Sequence, residues 1–233
     1  MLIFDKLTYD TGGFALSADF SVQTGDRVAI IGPSGAGKST LLDLIAGFRA
    51  PTTGHILWNG TDITAHAPGA RPVALLFQDN NLFPHLTLRQ NLSLALRPDG
   101  RHLTADQRRA LIDALAQVGL AGYEDRKPGT LSGGQQSRAG LARALLQDRP
   151  CLLLDEPFSA LGPAMRAEMQ DLVIDLATRV AATALLVTHD PAEAERFATK
   201  AIVVADGVAS PPENIKTLMQ NPPKALTDYL GSK

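Results

Sequence analysis

The residues best placed to do chemistry lie between 32 and 40, where the sequence reads GPSGAGKST. This stretch fits the phosphate-loop pattern G-x-x-x-x-G-K-[ST] and lies between a predicted strand, Arg27–Ile31, and a predicted helix at 41–46. Glycines at such a junction let successive backbone N–H groups converge on one point, and the helix N-terminus adds partial positive charge. Phosphate is the ligand that this arrangement favours. The stretch therefore predicts a site for a nucleoside triphosphate.

Individual side chains of this loop have separate expected tasks. Lys38 is expected to reach the terminal phosphates, and the Ser39 hydroxyl is expected to bind Mg²⁺. Gly32, Gly35 and Gly37 have no Cβ that would keep the anion away. We expect the whole loop to bind nucleotide, namely Gly32, Pro33, Ser34, Gly35, Ala36, Gly37, Lys38, Ser39 and Thr40.

Two acids, Asp155 and Glu156, follow a second predicted buried strand at 151–154. In open α/β folds, ligands bind at the carboxyl edge of a parallel sheet, which is where these acids would lie. Asp155 is expected to hold Mg²⁺ through water, and Glu156 to polarise an attacking water as general base. The alternative is an ordinary pair of exposed loop acids.

Three further features are ambiguous when taken alone. Ser132, in LSGGQ at 131–135, is a good N-cap for a helix predicted from about 135 to 147, and its two glycines make a second candidate anion site, although many helices begin this way. His189 follows the predicted strand Thr183–Val187 and is placed to sense a γ-phosphate, although a lone histidine is usually structural. Tyr9 can stack on a base, but spacing alone favours a packing role.

The elements that must position these residues alternate between strand and helix, with one interruption. Apolar residues three and four apart from residue 88 to about 122 indicate a helical subdomain inserted into an α/β fold. The 233 residues suit one large domain or a core with an insertion. We expect a catalytic core with a β subdomain at 1–87 and 150–210, a helical subdomain at 88–149 and a short tail at 211–233.

Composition excludes several classes of protein. The net charge of -2 gives no support for a nucleic-acid partner held by bulk electrostatics. The single cysteine, Cys151, lies in an apolar run and predicts a buried strand residue in a reducing compartment. The sequence contains neither a membrane-spanning run nor a signal-peptide pattern, because Asp5 interrupts the first apolar stretch. We expect a cytosolic chain whose membrane contact comes through a partner.

The motifs in this order resemble the ATP-binding subunit of an ABC transporter, and the resemblance runs from residue 2 to about 207. LSGGQ between a phosphate loop and LLLDEP carries most of it. It implies a P-loop NTPase of the ABC ATPase type, with a mostly parallel core sheet, an antiparallel β subdomain and an inserted helical subdomain. It also implies ATP and Mg²⁺ as ligands, and the separate permease and ATPase chains of a bacterial importer.

The resemblance also assigns roles to single residues. Two copies would form a dimer that holds ATP between one copy's phosphate loop and the other's Ser132, Gly133, Gly134 and Gln135. Tyr9 matches the aromatic residue that stacks on adenine, which reverses the reading from spacing. Gln78 matches a loop glutamine that contacts Mg²⁺. The catalytic set would be Glu156 as base, His189 as switch histidine, Gln78 and Lys38, with metal bound by Ser39, Gln78 and Asp155.

A narrower resemblance concerns cargo. Residues 71–96 and 44–48 look like the ATPase subunits of bacterial importers for thiamine and thiamine diphosphate. That implies a peripheral protein at the cytoplasmic face of the inner membrane, a permease partner and, indirectly, a periplasmic binding protein. Substrate choice would belong to those partners. An importer for another small solute, a soluble ABC ATPase acting on DNA or ribosomes and a regulator that binds ATP without turnover remain as alternatives.

One residue departs from the family pattern. The loop after LLLDEP usually reads S-A-L-D, but residues 159–162 read S-A-L-G. The missing aspartate helps to couple the two ATP sites in this family. We therefore expect ATP hydrolysis to survive and cooperativity between the sites to be reduced.

Overall fold

A computed structural model describes residues 1–77 and 81–230 of the chain. The protein divides into two compact units. The first, which we call the sheet unit, comprises Met1–Val73, Pro150–Asp155 and Ala177–Lys233. The second, which we call the helical unit, comprises Ala74–Arg149 and Glu156–Leu176.

Strands and helices alternate along most of the chain, with one block that is purely helical. The strands, in chain order, are β1 Leu2–Asp10, β2 Ala15–Val22, β3 Arg27–Ile31, β4 Thr53–Trp58, β5 Thr61–Asp62, β6 Val73–Phe77, β7 Cys151–Asp155, β8 Thr183–Val187, β9 Lys200–Ala205, β10 Val208–Ala209 and β11 Glu213–Asn214. The helices are α1 Lys38–Ala46, α2 Leu88–Leu96, α3 Ala105–Gln117, α4 Gly133–Leu145, α5 Pro163–Arg179, α6 Pro191–Phe197, α7 Ile215–Gln220 and α8 Lys224–Leu230.

Parallel strands form the centre of the sheet unit, in the order β9-β3-β8-β7. Every residue of β8 is buried, and so are the first four of β7, as expected for strands covered on both faces. The register places Ile30 beside Val187 and Val187 beside Asp155. The carboxyl ends of β3, β8 and β7 therefore meet at one edge, so Asp155 lies at the carboxyl edge of a parallel sheet, as predicted.

Antiparallel strands continue the sheet in the order β5-β4-β1-β2, and β10 joins them to the centre by pairing parallel with β2 and antiparallel with β9. Burial alternates along β2, as it does in a strand with one solvated face. A bulge interrupts β1 between Phe4 and Leu7, where Lys6 has a φ of 46°. Gly54 on β4 lies so close to this bulge that a Cβ would meet the Lys6 carbonyl oxygen at 2.3 Å. The predicted fold class, a mostly parallel core with antiparallel strands and a helical insertion, is confirmed.

Helices α2, α3 and α4 pack on one another in the helical unit. Each begins with a capping box. The side chain of the N-cap residue, Thr87, Thr104 or Ser132, accepts from the N–H of the third helical residue, and the glutamine side chain at that third position accepts from the N-cap N–H. The box places the start of α4 at Gly133, two residues before the expected start near 135. Within residues 1–77 and 81–230, no helix is long and apolar enough to cross a membrane.

Candidate functional site

The phosphate loop links β3 to α1 in the sheet unit, as predicted. Helix α1 begins at Lys38, three residues before the expected start, and its N-cap is Gly37 with a φ of 107°. A glycine brings no side chain to cap the helix, and the first turn contains no acid. No side chain therefore caps the N-terminus of α1, in contrast to α2, α3 and α4 of the helical unit, and its partial positive charge favours an anion.

Two of the loop glycines are required by packing as well as by any approach of phosphate. A Cβ on Gly32 would meet the Val204 carbonyl oxygen at 2.0 Å, and one on Gly37 would meet the Phe14 ring at 2.6 Å. A Cβ on Gly35 would lie in open space. The sequence-based explanation, which gave all three glycines the same role toward the anion, is therefore incomplete for Gly32 and Gly37.

Lys38 is buried beneath its own loop. Its Nζ donates to the carbonyl oxygens of Gly32 and Pro33, at 2.8 Å each. These bonds hold the ammonium group against the backbone of the phosphate loop. Its positive charge therefore lies at the loop that is predicted to bind phosphate.

Ser39 and Asp155 come together from separate parts of the sequence. The Ser39 hydroxyl donates to Asp155 Oδ1 at 3.2 Å, linking the first turn of α1 to the end of β7. A hydroxyl and a carboxylate are hard oxygen ligands, and Mg²⁺ typically binds through few protein oxygens while keeping several waters. Among the described residues, no group of three or more His, Cys, Asp and Glu side chains is arranged to hold a metal. The pair fits a Mg²⁺ ion that shares its coordination with phosphates.

Glu156 follows Asp155 in the chain and has an unusual backbone. Its φ is 45°, in the left-handed region that a residue with a side chain rarely occupies. The Ser159 amide and hydroxyl both donate to its carbonyl oxygen, at 3.2 and 2.9 Å, and they hold it in this conformation. Local strain of this kind often accompanies functional residues.

His189 is exposed at the end of β8, between two anchored neighbours. The hydroxyl of Thr188, which is buried, donates to the carboxylate of Glu193 and accepts from the Asp190 amide at 3.1 Å. The Asp190 side chain in turn caps α6 by accepting from the amide of Ala192 at 2.9 Å. The backbone on both sides of His189 is thus fixed by bonds that sequence reasoning did not anticipate.

Tyr9 lies near the end of β1 and is half-buried. Its ring centroid lies 6.5 Å from that of Phe14, and its hydroxyl accepts from Arg49 Nη1 at 2.8 Å. Arg49 was missed as a candidate because a single arginine after a helix carries no motif. The ring is half-exposed and fixed at its hydroxyl.

The signature residues lie in the helical unit, at the start of α4. Ser132 Oγ accepts from the Gln135 amide at 3.3 Å, and Gln135 Oε1 accepts from the Ser132 amide at 3.0 Å. A Cβ on Gly133 would meet nothing within 4 Å, whereas one on Gly134 would meet Met165 Sδ at 1.9 Å. The exposed surface here is therefore formed by Ser132 and Gly133, while Gly134 lies against Met165.

The remaining predicted residues divide into two groups. Pro33, Ser34, Ala36 and Thr40 lie within the loop and first turn that carry Lys38 and Ser39. Gln78, predicted to contact Mg²⁺, lies outside the described residues. The structure thus brings Lys38, Ser39 and Asp155 to one edge of the sheet unit, and it places Ser132–Gln135 in the other unit.

Comparison with known proteins gives this geometry a family. The ABC transporter family model matches residues 16–159. The thiamine import ATP-binding protein ThiQ of Cereibacter sphaeroides is 57% identical over 231 residues, covering 99% of this chain and 100% of that protein. The ThiQ protein of Ruegeria sp. is 54% identical over 232 residues, with 100% of both chains covered.

Solved structures agree with the sequence relatives. The dimeric ATP-binding cassette MJ0796, bound to ADP and phosphate, superposes with a TM-score of 0.78 at 29% identity, covering 92% of this chain and 99% of that one. The ADP form of the cassette MJ1267 gives a TM-score of 0.87 at 25% identity, covering 99% and 98%. The chain belongs to the ABC transporter family.

Proposed function

We propose that the chain is the ATP-hydrolysing subunit of an importer for thiamine, with thiamine diphosphate as a related cargo. The observation that carries the cargo is the 57% identity to a thiamine import ATP-binding protein along 99% of the chain. Similarity over the full length, outside the nucleotide motifs as well as within them, supports the same assignment for this chain.

Nucleotide binding is assigned to the sheet unit. Tyr9 stacks on adenine, the amides of residues 32–40 surround the phosphates, and Lys38 exchanges its loop carbonyls for phosphate oxygens. Ser39 and Asp155, 3.2 Å apart, hold Mg²⁺ together with Gln78. When bound, Mg²⁺ neutralises charge on the phosphates and orients them.

Hydrolysis is assigned to Glu156 as general base. Its carboxylate accepts a proton from water while the water oxygen forms a bond to the γ-phosphorus and the bond to the ADP oxygen breaks. His189 stabilises the γ-phosphate, and the backbone amides with Lys38 stabilise the charge that develops on it. The left-handed backbone of Glu156, with a φ of 45°, is energetically unfavourable for a residue with a side chain. That the fold maintains it supports a functional role for this residue.

Assembly follows from the division of the motifs. We propose a homodimer in which Ser132, Gly133, Gly134 and Gln135 of one copy complete the ATP site of the other, in line with the dimeric relative bound to ADP and phosphate. ATP binding closes this dimer, and release of products opens it. A transmembrane permease carries the motion, and a periplasmic binding protein delivers the cargo. The chain is then peripheral, at the cytoplasmic face of the inner membrane.

Uptake of labelled thiamine tests this proposal in the bacterium that carries the gene. Deletion of the gene should abolish thiamine uptake, and expression of the wild-type chain in the deletion strain should restore it. The Glu156→Gln variant, expressed to the same level, should not restore uptake. If the deletion leaves thiamine uptake unchanged but abolishes uptake of another labelled solute, the assignment of thiamine as cargo is wrong, while the assignment of the chain as a transport ATPase stands.

A further inference from the structure

Two polar residues of the sheet unit, Arg49 and Asp43, connect Tyr9 to the helix of the phosphate loop. Arg49 Nη1 donates to the Tyr9 hydroxyl at 2.8 Å, and Arg49 Nε donates to Asp43 Oδ2 at 2.9 Å. The guanidinium carbon also lies 5.8 Å from the centre of the Tyr9 ring. We call Asp43, Arg49 and Tyr9 the tyrosine tether. One guanidinium thus holds a side chain of β1 and a side chain of α1 at the same time.

The α1 end of the tether is well anchored. The backbone carbonyl of Asp43 accepts from the amides of Gly47 and Phe48 at 2.9 Å each and from that of Arg49 at 3.4 Å. Arg49 is therefore bonded to Asp43 through both its backbone and its side chain. Asp43 lies five residues after Lys38 on the same helix, a distance of about 7.5 Å along the axis.

The consequence concerns the cost of binding a base. A half-exposed tyrosine loses rotamer freedom when a base stacks on it, and that loss reduces affinity. A ring already held at its hydroxyl has paid part of this cost before the ligand arrives. The tether also sets the distance between the ring and the helix whose first turn meets the phosphates.

We propose that Arg49 is a positioning residue for the nucleotide base: it holds the Tyr9 ring, through the hydroxyl, at a fixed place relative to the phosphate loop. The inference rests on the proposed stacking of Tyr9 on adenine. It assigns Arg49 to recognition of the base and not of the phosphates, because its bonds lead to Tyr9 and Asp43.

Calorimetric binding of two probes to the purified chain in Mg²⁺ separates these roles. ADP carries a base, whereas pyrophosphate tests the phosphate loop alone. Arg49→Ala should weaken ADP binding about two- to fivefold, the range for an exposed charged pair, and leave pyrophosphate binding unchanged. Tyr9→Phe, which keeps the ring and removes the hydroxyl, should weaken ADP binding to a similar extent. The double variant should be no weaker than the weaker single variant, because both changes remove the same bond.

Two controls make the outcome decisive. Arg101→Ala removes an exposed arginine that is also paired with an aspartate, Asp99 in the helical unit, and should change neither affinity. Tyr9→Ala should weaken ADP binding about tenfold or more if the ring stacks on the base. No effect of Tyr9→Ala would overturn the stacking itself. An effect of Tyr9→Ala with none of Arg49→Ala, or equal losses of ADP and pyrophosphate binding in Arg49→Ala, would overturn only the role of Arg49.

Discussion

Glu156 and Gly162 show how much single residues of one loop decide. Glu156 directly follows Asp155, the last residue of β7, and its left-handed backbone is held by Ser159. Gly162 stands six residues later, directly before α5. The two residues carry opposite expectations for the site: Glu156 is the proposed general base, and Gly162 stands where the family resemblance leads us to expect an aspartate.

Replacing Glu156 by Gln should abolish turnover and spare binding. The amide keeps the size of the carboxylate but cannot accept the proton from water. We expect the rate of ATP hydrolysis to fall by about 10²- to 10⁴-fold, while the affinity for ADP changes little. Near-normal turnover, measured by phosphate release at saturating ATP, would mean that another group is the base.

Replacing Gly162 by Asp should restore coupling between the two ATP sites. A Cβ at this position meets nothing within 4 Å, and the Gly162 carbonyl accepts from the Arg166 amide at 2.9 Å, as an N-cap residue does. Asp therefore fits and should stabilise α5 by a few tenths of a kcal/mol. We expect the Hill coefficient for ATP hydrolysis to rise.

Gly162→Asn is the matched control, because it caps equally well without a charge. If Asn raises the Hill coefficient as much as Asp does, the carboxylate is not responsible. If Gly162→Asp changes neither the rate nor the Hill coefficient of ATP hydrolysis, then Gly162 does not reduce the coupling between the sites.

Helix α1 is positioned at its C-terminal end by a side chain outside every motif. Arg71 is 1% exposed and donates to the carbonyl oxygens of Leu44 and Ile45 at 2.6 and 2.9 Å. It also donates to the carbonyls of Thr64 and His66 at 2.6 and 3.0 Å. Burial lowers the pKa of Arg71, but an arginine stays charged at any physiological pH. This guanidinium joins the end of α1 to the turn after β5.

Arg71→Ala should destabilise the protein strongly. The change leaves buried carbonyls without their donors, which costs about 3 kcal/mol or more in the free energy of unfolding. Arg71→Lys should recover less than half of this loss, because one ammonium cannot reproduce the planar fork. Denaturant unfolding of both variants, with the exposed Arg101→Ala as control, measures the difference. A loss below 1 kcal/mol for Arg71→Ala would contradict the anchoring role.

Helix α4 offers a test of the signature with an internal control. Ser132 and Thr104 form the same capping box on neighbouring helices, so either change to Ala should cost about 0.5–2 kcal/mol of stability. Only Ser132 belongs to the proposed ATP contact between copies. Sedimentation with ATP, in a Glu156→Gln background, should show dimer loss with Ser132→Ala and not with Thr104→Ala. Equal dimerisation of the two variants would show that the Ser132 side chain caps α4 but does not contribute to the ATP-dependent dimer.

The elements that carry the site were readable because each has a local cause. Strands β3 and β8 begin and end where the patterns predicted, since apolar runs mark their limits. Helix starts were predicted two or three residues late where glycine occupies the N-cap, as in α1, or the first turn, as in α4. The two-residue strands β10 and β11 and the anchors Arg71 and Arg49 were missed, because their partners are distant in sequence and no spacing announces them.

For the molecule as a whole, the buried thiol of Cys151 can report on unfolding of the core. Cys151 is completely buried at the start of β7, and burial raises the pKa of its thiol from 9.0 to about 12. Because the folded-state pKa is raised, stability is unaffected below pH 9 and falls as the pH rises from there toward about 12. The thiol should therefore stay unreactive until the sheet unit unfolds.

Labelling of Cys151 with a thiol reagent at pH 8 should follow global unfolding. We expect little reaction in the native protein, complete reaction in denaturant, and slower native-state labelling when Mg²⁺ and ADP are added, because ligand binding stabilises the folded state. Rapid labelling under native conditions, at the rate of a free thiol, would show that β7 opens locally.

The most direct test of the whole account is ATP hydrolysis by this chain assembled with its permease and binding protein in proteoliposomes, with and without thiamine. The account predicts that thiamine-loaded binding protein stimulates hydrolysis, and that Glu156→Gln abolishes the stimulated rate. Hydrolysis that the assembly stimulates but thiamine does not affect would contradict the cargo. A complete assembly that hydrolyses no ATP would contradict the motor itself.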